Sequence, residues 1–300
     1  MKRRVFSWTD KQVDKLNKVK NILLELDEFK PLTLRQVYYQ LVGKGYIENN
    51  VSQYGMLSKL LKHARIDGYI SWDDIEDRVR AYHDLTGWGS STEYISRSVE
   101  QFLTTYKRDL LQTQDVYIEL WIEKDALSSI FTRVASRFTV PVVVCRGFSS
   151  VSFLNDYKTR LSYYKDKTPL LLYFGDFDPS GVEMLTAMET TLKEELNVTG
   201  IIFKRIALSK EDVFLYNLPH SPDALKKTDT RAKKHIEEFG EIAVELDALP
   251  PQVLQDKIEQ AIIDNIQLRL FIEEEQTQVN EFDLLNKIKT DVKNLMNDYF

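Results

Sequence analysis

The stretch Leu170–Gly181 reads LLLYFGDFDPSG. Its apolar run predicts a buried strand, and the Pro-Ser-Gly turn opens a helix predicted from about Val182 to Leu196. Strand residues two apart point the same way, so Asp176 and Asp178 can share one cation where the strand ends. Such a pair suits Mg²⁺ or Mn²⁺, which take oxygen ligands.

The acid pair also has a purely structural interpretation. Asp178 followed by Pro179 is an ordinary helix start, with an acidic N-cap and a proline at the first helical position. A third carboxylate arriving from another strand would favour the metal site over the cap.

That third carboxylate comes from the first of four predicted strands. From Asp115 the apolar residues recur at every second position, which is strand spacing. The predicted strands and helices then alternate in the order βαβαβαβ, which predicts a mainly parallel sheet. Glu123 ends the first strand, at the same edge as Asp176 and Asp178, whereas Glu119 is mid-strand and a poorer candidate. The other predicted strands are residues 141–146, 170–174 and 201–208.

Composition and charge narrow the class of protein. The chain has 300 residues, is 43% hydrophobic and contains one cysteine, which indicates two or three domains in a reducing compartment. No signal peptide or membrane-spanning run is found, so a cytoplasmic protein is expected. The net charge is −6, but residues 1–65 hold 13 Lys and Arg against 6 Asp and Glu. A basic front of this kind can bind DNA locally.

The N-terminal region is predicted to form three helices, at residues 9–26, 34–44 and 54–65, and then a short strand over Tyr69–Trp72. This order is typical of a winged helix-turn-helix, whose third helix enters the major groove. A plain helical domain with a solvated lysine face is the alternative. The DNA-binding candidates here are Lys59, Lys62, His63 and Arg65.

The second predicted helix carries an adjacent pair of tyrosines. The apolar stripe turns Tyr38 to the core and leaves Tyr39 exposed, with Arg35 one turn earlier on the same side. A phenol beside an arginine could attack a phosphodiester whose phosphate the arginine holds. Equally, Tyr39 could contact a neighbouring domain or stack on DNA.

The last third of the chain has two polar segments before its helical, acidic end at residues 252–300, which is suited to packing or self-association. Lys226, Lys227 and Arg231 form a basic segment suited to phosphates. Glu245 and Asp247 could approach a second metal or cap the helix after Pro251, and the structural role is favoured.

Two sets of motifs resemble a known family. Glu123-Lys124-Asp125-Ala126, Arg146-Gly147 and Gly175–Gly181 resemble a TOPRIM domain. Leu34–Tyr39 resembles the Arg-x-x-Tyr-Tyr motif of the winged-helix domain in the topoisomerase VI A subunit and its meiotic double-strand-break relative. The two motifs occur in the same order as in that family, and the resemblance covers about residues 32–208. It looks closest to the short stand-alone Mini-A proteins of bacteria and mobile elements.

The resemblance implies a fold and a chemistry. The fold is α/β, with a winged-helix domain at residues 1–85, a linker helix at 86–114, a TOPRIM domain at 115–215 and a helical, dimerising extension at 216–300. Tyr39 would attack double-stranded DNA and stay linked to the 5′ phosphate, assisted by Arg35. Mg²⁺ or Mn²⁺ would be held by Glu123, Asp176 and Asp178.

Family members act as homodimers, in which one subunit's tyrosine meets the other's metal site. No ATP-binding fingerprint or P-loop is found in this chain, so full topoisomerase activity implies a separate ATPase or regulatory partner. Two other functions stay open. One is a hydrolytic TOPRIM nuclease in which Tyr39 only binds DNA, and the other is a DNA-binding protein without catalysis, whose metal affinity Asp176→Ala would not change.

Overall fold

The computed structural model describes residues 6–76, 86–104, 106–147, 149–220, 225 and 230–297, with the backbone alone at 102–104, 230, 231, 296 and 297. This part of the chain is a mixed α/β structure, rich in helix, whose main sheet is parallel. The predicted α/β class is therefore confirmed at this level.

The first 76 residues form three helices and a minimal sheet. The helices are α1 (Asp10–Glu25), α2 (Leu34–Gly43) and α3 (Val51–Ile66). Two short strands, β1 (Leu32–Thr33) and β2 (Ile75–Glu76), pair in parallel. All three helices are where the sequence predicts them, although α3 begins three residues earlier than expected.

Side-chain caps set the starts of these helices. Thr9 and Thr33 each accept from the backbone N–H three residues on, and Gln12 and Gln36 return the bond to the cap residue. Asn50 caps α3 through the backbone N–H of Gln53, at 2.9 Å. These polar side chains satisfy donors that a helix start leaves without partners.

The strand predicted over Tyr69–Trp72 is wrong. A 3-10 turn occupies Trp72–Asp74, and the strand of this region is β2, just after it. Ser71 and Asp74 close a capping box on the turn. Such short polar side chains bond to nearby backbone and so compete with the extended conformation that the apolar residues favour.

The four-stranded sheet has the order β4-β3-β5-β6, and every neighbouring pair is parallel. β3 and β5 pair along their whole length, and Ile122 is level with Phe174. The residues that follow them therefore emerge side by side. The strands are β3 (Val116–Ile122), β4 (Val142–Val144), β5 (Thr168–Phe174) and β6 (Ile202–Ala207).

Helices connect the strands and complete the C-terminal part, where the predicted single helical end is divided in two. A π-helical turn, Thr191–Glu195, extends α7. These helices are α4 (Ser91–Thr104), α5 (Ser128–Ala135), α6 (Val151–Leu161), α7 (Pro179–Thr190), α8 (Lys210–Leu215), α9 (Thr230–Phe239), α10 (Pro251–Ile263) and α11 (Leu268–Asn297).

The two faces of the sheet bury different side chains. One face, with Leu120 and Leu172, joins a core that runs from α1 to α11, so the front and the end of the chain share it. On the other face, Trp121 and Tyr173 of the sheet pack against Tyr157 of α6 and Met184 of α7. In the described ranges, no helix has the length and apolar character needed to cross a lipid bilayer.

Candidate functional site at the carboxyl edge of the sheet

The candidate site begins where β3 and β5 end together. The Asp176 backbone N–H donates to Glu123 Oε2 at 2.9 Å, which joins the two strand ends. Gly181, in the first turn of α7, lies against this pair, and a Cβ there would come within 2.3 Å of the Asp176 carbonyl oxygen. A glycine is therefore required for the close approach of helix and strand.

Asp178 has the structural role that the sequence left open. Its Oδ1 accepts from the Gly181 backbone N–H at 2.7 Å, and Pro179 is the first residue of α7. The side chain is half-buried. The N-cap interpretation is thus confirmed for one oxygen of Asp178.

Lys124 lies at the centre of the acidic groups. Its ammonium is 2.9 Å from Asp176 Oδ2, 2.8 Å from Glu245 Oε2 and 3.0 Å from Asp247 Oδ2. The pairs with Glu245 and Asp247 join residues more than 120 positions apart. Lys124 belongs to the motif that resembles a TOPRIM domain, but the sequence predicted no role for it. A lysine directly after a candidate metal ligand was the available signal.

Glu245 and Asp247 do not cap the helix after Pro251, because α10 begins without a side-chain cap. An antiparallel bridge between Phe177 and Val244 instead brings their segment to the site, and the Leu246 N–H donates to Asp176 Oδ1 at 2.8 Å. The favoured capping role was therefore wrong. The acids are spaced two apart, like Asp176 and Asp178, and that spacing was the available signal.

Arg35 joins α2 to the same two carboxylates. Its guanidinium forms an ion pair with Glu245 Oε2 and a second with Asp247 Oδ2, the latter at 3.2 Å. The 3-10 turn Leu246–Ala248 packs directly on α2. The arginine and the acidic edge, which the sequence placed in separate domains, therefore form one continuous cluster.

Tyr39 is buried, with 5% of its surface exposed, so the prediction of an exposed side chain is wrong. The turn Leu246–Ala248 covers the face of α2 that the local apolar stripe leaves polar, and a helical period cannot reveal a cover 200 residues away. Burial raises the pKa of Tyr39 to about 12, against the opposing effect of Arg35 and Lys124. Tyr38 is buried as predicted.

The carboxylates of the site differ in how their charges are balanced. Burial, with repulsion from Asp176, raises the pKa of Glu123 to about 7. Burial also raises the pKa of Asp176, although Lys124 opposes the shift. Burial acts against ionisation of Asp247 too, but Lys124 and Arg35 outweigh it and lower its pKa. The pKa values of Glu123 and Asp176 are thus both raised, whereas that of Asp247 is lowered.

Arg205, on β6, holds the loop that carries the acids. Its guanidinium donates to the carbonyl oxygens of Asp176, Gly175 and Gly181, the last two at 3.2 Å and 3.1 Å. The sequence did not predict a role for Arg205. Its strand also contains Lys204, so a charged side chain in β6 was not by itself a distinguishing signal.

The predicted metal triad is only partly assembled. Among the described residues, no group of three or more His, Cys, Asp or Glu side chains is arranged to hold a metal ion. Both Asp176 oxygens are already bonded, to Lys124 and Leu246. Glu123 and Asp178 each use one oxygen in a backbone hydrogen bond. The other oxygen of each is a carboxylate oxygen, which is the ligand type that Mg²⁺ takes in proteins, often one or two at a time together with substrate phosphates.

The predicted DNA-binding residues divide between surface and interior. Lys59 and Lys62 are exposed, His63 stacks on Phe6 with ring centroids 3.8 Å apart, and the Arg65 guanidinium lies 4.5 Å from the Trp72 ring. Lys226 and Lys227 lie outside the described residues, and Arg231 is described by its backbone alone.

Lys62 and Arg65 share a cavity with the candidate site. The cavity has a volume of about 440 Å³, and Arg35 is also among its lining residues. Tyr54 and Ser58 contribute hydroxyl groups to it. The basic side of α3 therefore continues toward the acidic cluster.

Comparison with known proteins gives no matching family model and no matching curated protein. The family resemblance consequently rests on the motifs around Tyr39, Glu123 and Asp176. The function is argued below from the chemistry of the site itself.

Proposed function

We propose that this chain is a metal-dependent, DNA-cleaving transesterase of the topoisomerase VI A type, with a winged-helix front and a TOPRIM sheet. One observation carries the proposal. Arg35, one turn before Tyr39 on α2, is paired with Asp247, which is paired in turn with Lys124 at the carboxylate edge of the sheet, and Tyr39 is close enough to all three for their charges to shift its pKa. A phenol, a guanidinium and converging acids are the groups that phosphoryl transfer to tyrosine requires.

The proposed step conserves atoms and charge. The Tyr39 oxygen attacks phosphorus, a phosphotyrosyl bond to the 5′ end forms, and the bond from phosphorus to the 3′ oxygen breaks. The proton that leaves the phenol is balanced by the proton that the 3′ hydroxyl gains. Arg35 binds the phosphate oxygens, while Glu123 and Asp178 are the residues that would hold the metal. A divalent cation, when bound, supplies positive charge at the scissile phosphate.

The substrate in this proposal is double-stranded DNA, held through its backbone by the basic side of α3. A homodimer, a separate ATPase or regulatory partner and a cytoplasmic, DNA-associated location belong to the same proposal. Within this single chain Tyr39 is close enough to its own Lys124 and Asp176 for their charges to act on its pKa. The resemblance would instead bring together groups of two subunits.

The burial of Tyr39 supports a second candidate, a hydrolytic nuclease. A phenol with a pKa of about 12 is almost fully protonated at neutral pH and is a weak nucleophile in that form. In the hydrolytic reaction water replaces the phenol, and the same acids orient it. The products then carry no covalently attached protein.

Plasmid cleavage distinguishes the two reactions. Supercoiled plasmid is incubated with the protein and Mg²⁺ or Mn²⁺, and the reaction is stopped with detergent. The products are then compared on a gel with and without protease treatment. We expect linear DNA that enters the gel only after protease, and loss of this product in Tyr39→Phe. Tyr38→Phe is the matched control, since it removes the neighbouring hydroxyl.

Linear DNA that enters the gel without protease treatment, and that is still formed by Tyr39→Phe, would establish the hydrolytic reaction instead. Loss of covalent product in Tyr38→Phe as well would show that the pair is needed for packing and would remove the support for Tyr39 as nucleophile.

A further inference from the structure

Near Tyr39, two cations and two carboxylates are joined by four ion pairs, so that each cation contacts both carboxylates. Glu245 Oε2 pairs with both Arg35 and Lys124, and Asp247 Oδ2 pairs with the same two cations. Each carboxylate therefore bridges an arginine and a lysine. This is the environment that a phosphodiester group needs, since Arg binds its oxygens as a planar fork and Lys as a point charge.

We propose that Glu245 is an internal substitute for a DNA backbone phosphate. Its carboxylate occupies the binding position between Arg35 and Lys124 in the absence of DNA and leaves it when a phosphate enters. The inference rests on the proposed function and deepens it, because it names Lys124 as the second phosphate-binding residue and Glu245 as its competitor.

The two carboxylates are not equivalent. The side chain of Glu245 is 21% exposed and that of Asp247 is 0% exposed. Asp247 Oδ1 is fully enclosed and has no hydrogen-bond partner within the described ranges. Removal of Asp247 would leave two cations without their fixed counter-charge, whereas Glu245 can rotate toward solvent. Asp247 is thus the positioning residue and Glu245 the exchangeable one.

The exchange also suits the charge of the site. A phosphodiester carries one negative charge, as Glu245 does, so replacing one with the other keeps the balance around Arg35 and Lys124. Arg35 also lines the cavity that contains Lys62 and Arg65, together with the acids Glu76 and Asp125. A DNA backbone lying on α3 can therefore reach Arg35 from the surface.

Competition predicts an increase in DNA affinity when Glu245 loses its charge. The measurement is fluorescence anisotropy of a labelled duplex in EDTA at fixed salt, with Tyr39→Phe as parent so that no covalent product forms. Adding Glu245→Gln should tighten binding by about five- to tenfold, because the phosphate no longer displaces an anion. Adding Asp247→Asn should weaken it several-fold, because the two cations lose the group that positions them.

Glu241→Gln is the matched control, since it removes the same charge four residues earlier on an exposed side chain. It reports the general effect of net charge on DNA affinity. Thermal melts check that each variant folds. Should Glu245→Gln lose its cooperative melt, Glu245→Asp replaces it, with a smaller increase expected because the shortened carboxylate withdraws from the cations.

Tighter binding by Glu245→Gln than by Glu241→Gln supports the internal substitute. Equal or weaker binding overturns it while leaving the cleavage reaction to be decided by the Tyr39→Phe assay. Failure of every variant to bind the duplex overturns both this inference and the DNA-cleaving function.

Discussion

Glu119 lies inside β3 and Glu123 directly follows that strand, four residues later, yet their surroundings are opposite. Glu119 is fully buried and accepts from Tyr117 at 2.6 Å, from Trp121 at 2.8 Å and from the Arg160 Nε at 2.8 Å. Glu123 accepts one backbone hydrogen bond, and burial raises its pKa to about 7. A satisfied buried acid stabilises a fold, and a poorly satisfied one is available for chemistry.

The largest effect is expected from Glu119→Gln. The amide keeps the size of the side chain but presents an N–H₂ group to neighbours that all donate, and it leaves Arg160 without its counter-charge. The Arg160 side chain is 37% exposed, so most of the cost comes from the buried Tyr117 and Trp121 donors, which lose a charged acceptor. Together the two losses are worth about 3 kcal/mol of unfolding free energy. Denaturant unfolding measures the loss.

Arg137→Gln is the control for this substitution. It also removes one member of an arginine–carboxylate pair, but the Arg137 side chain is 58% exposed and its partner is Glu259. A loss for Glu119→Gln no greater than for this exposed pair would erase the distinction between the mid-strand acid and the edge acid.

These two acids also show how far the sequence allows prediction. Period-two alternation identified β3 and placed Glu119 inside it and Glu123 at its end, because strand spacing is a local property. The parallel order followed from the alternation of strands with helices. The edge that gathers Glu123 and Asp176 was accordingly predictable.

The groups that complete the site were not predictable in this way. The contacts of Arg35 with Glu245 and Asp247 join residues about 210 positions apart, and the burial of Tyr39 depends on the same segment. A local pattern shows which face of α2 is apolar but does not show that its polar face is also covered. The strand predicted at Tyr69–Trp72 failed for the opposite reason, since local polar caps outweighed its apolar residues.

A second, smaller effect is expected where the edge acid meets α7. In Gly181→Ala the new Cβ would lie 2.3 Å from the Asp176 carbonyl oxygen and 3.2 Å from Glu123 Oε2. The strand end and the helix must separate, at a cost of about 2 kcal/mol in unfolding free energy. The same denaturant titration reports it.

Gly55→Ala is its control, because Gly55 lies inside α3 and a Cβ there meets no atom within 4 Å. That substitution should raise stability by about 0.5–1 kcal/mol, since alanine favours helix. Equal behaviour of the two glycines would mean that the edge is not tightly packed around Glu123.

Of the three substitutions at Glu119, Gly181 and Glu123, the smallest effect is expected from Glu123→Gln, and it is an increase in stability. The unfolded chain ionises this acid near its ordinary pKa of about 4.3, while the folded chain holds its proton until the pKa of about 7. Between these values the folded state binds more protons, so wild-type stability falls as pH rises. Above pH 7 the folded protein carries a charge that its surroundings disfavour.

Glu123→Gln removes this cost while keeping an oxygen for the Asp176 N–H. The variant should therefore be more stable than wild type by about 1 kcal/mol at pH 8, and the difference should vanish near pH 4. Urea titrations at the two pH values in EDTA measure it, with Glu119→Gln as the reference that loses stability at both. A Glu123→Gln protein that is less stable than wild type at pH 8 would mean that the edge acid is structural, like its neighbour four residues earlier, and would remove the reason for reading this end of the sheet as a site.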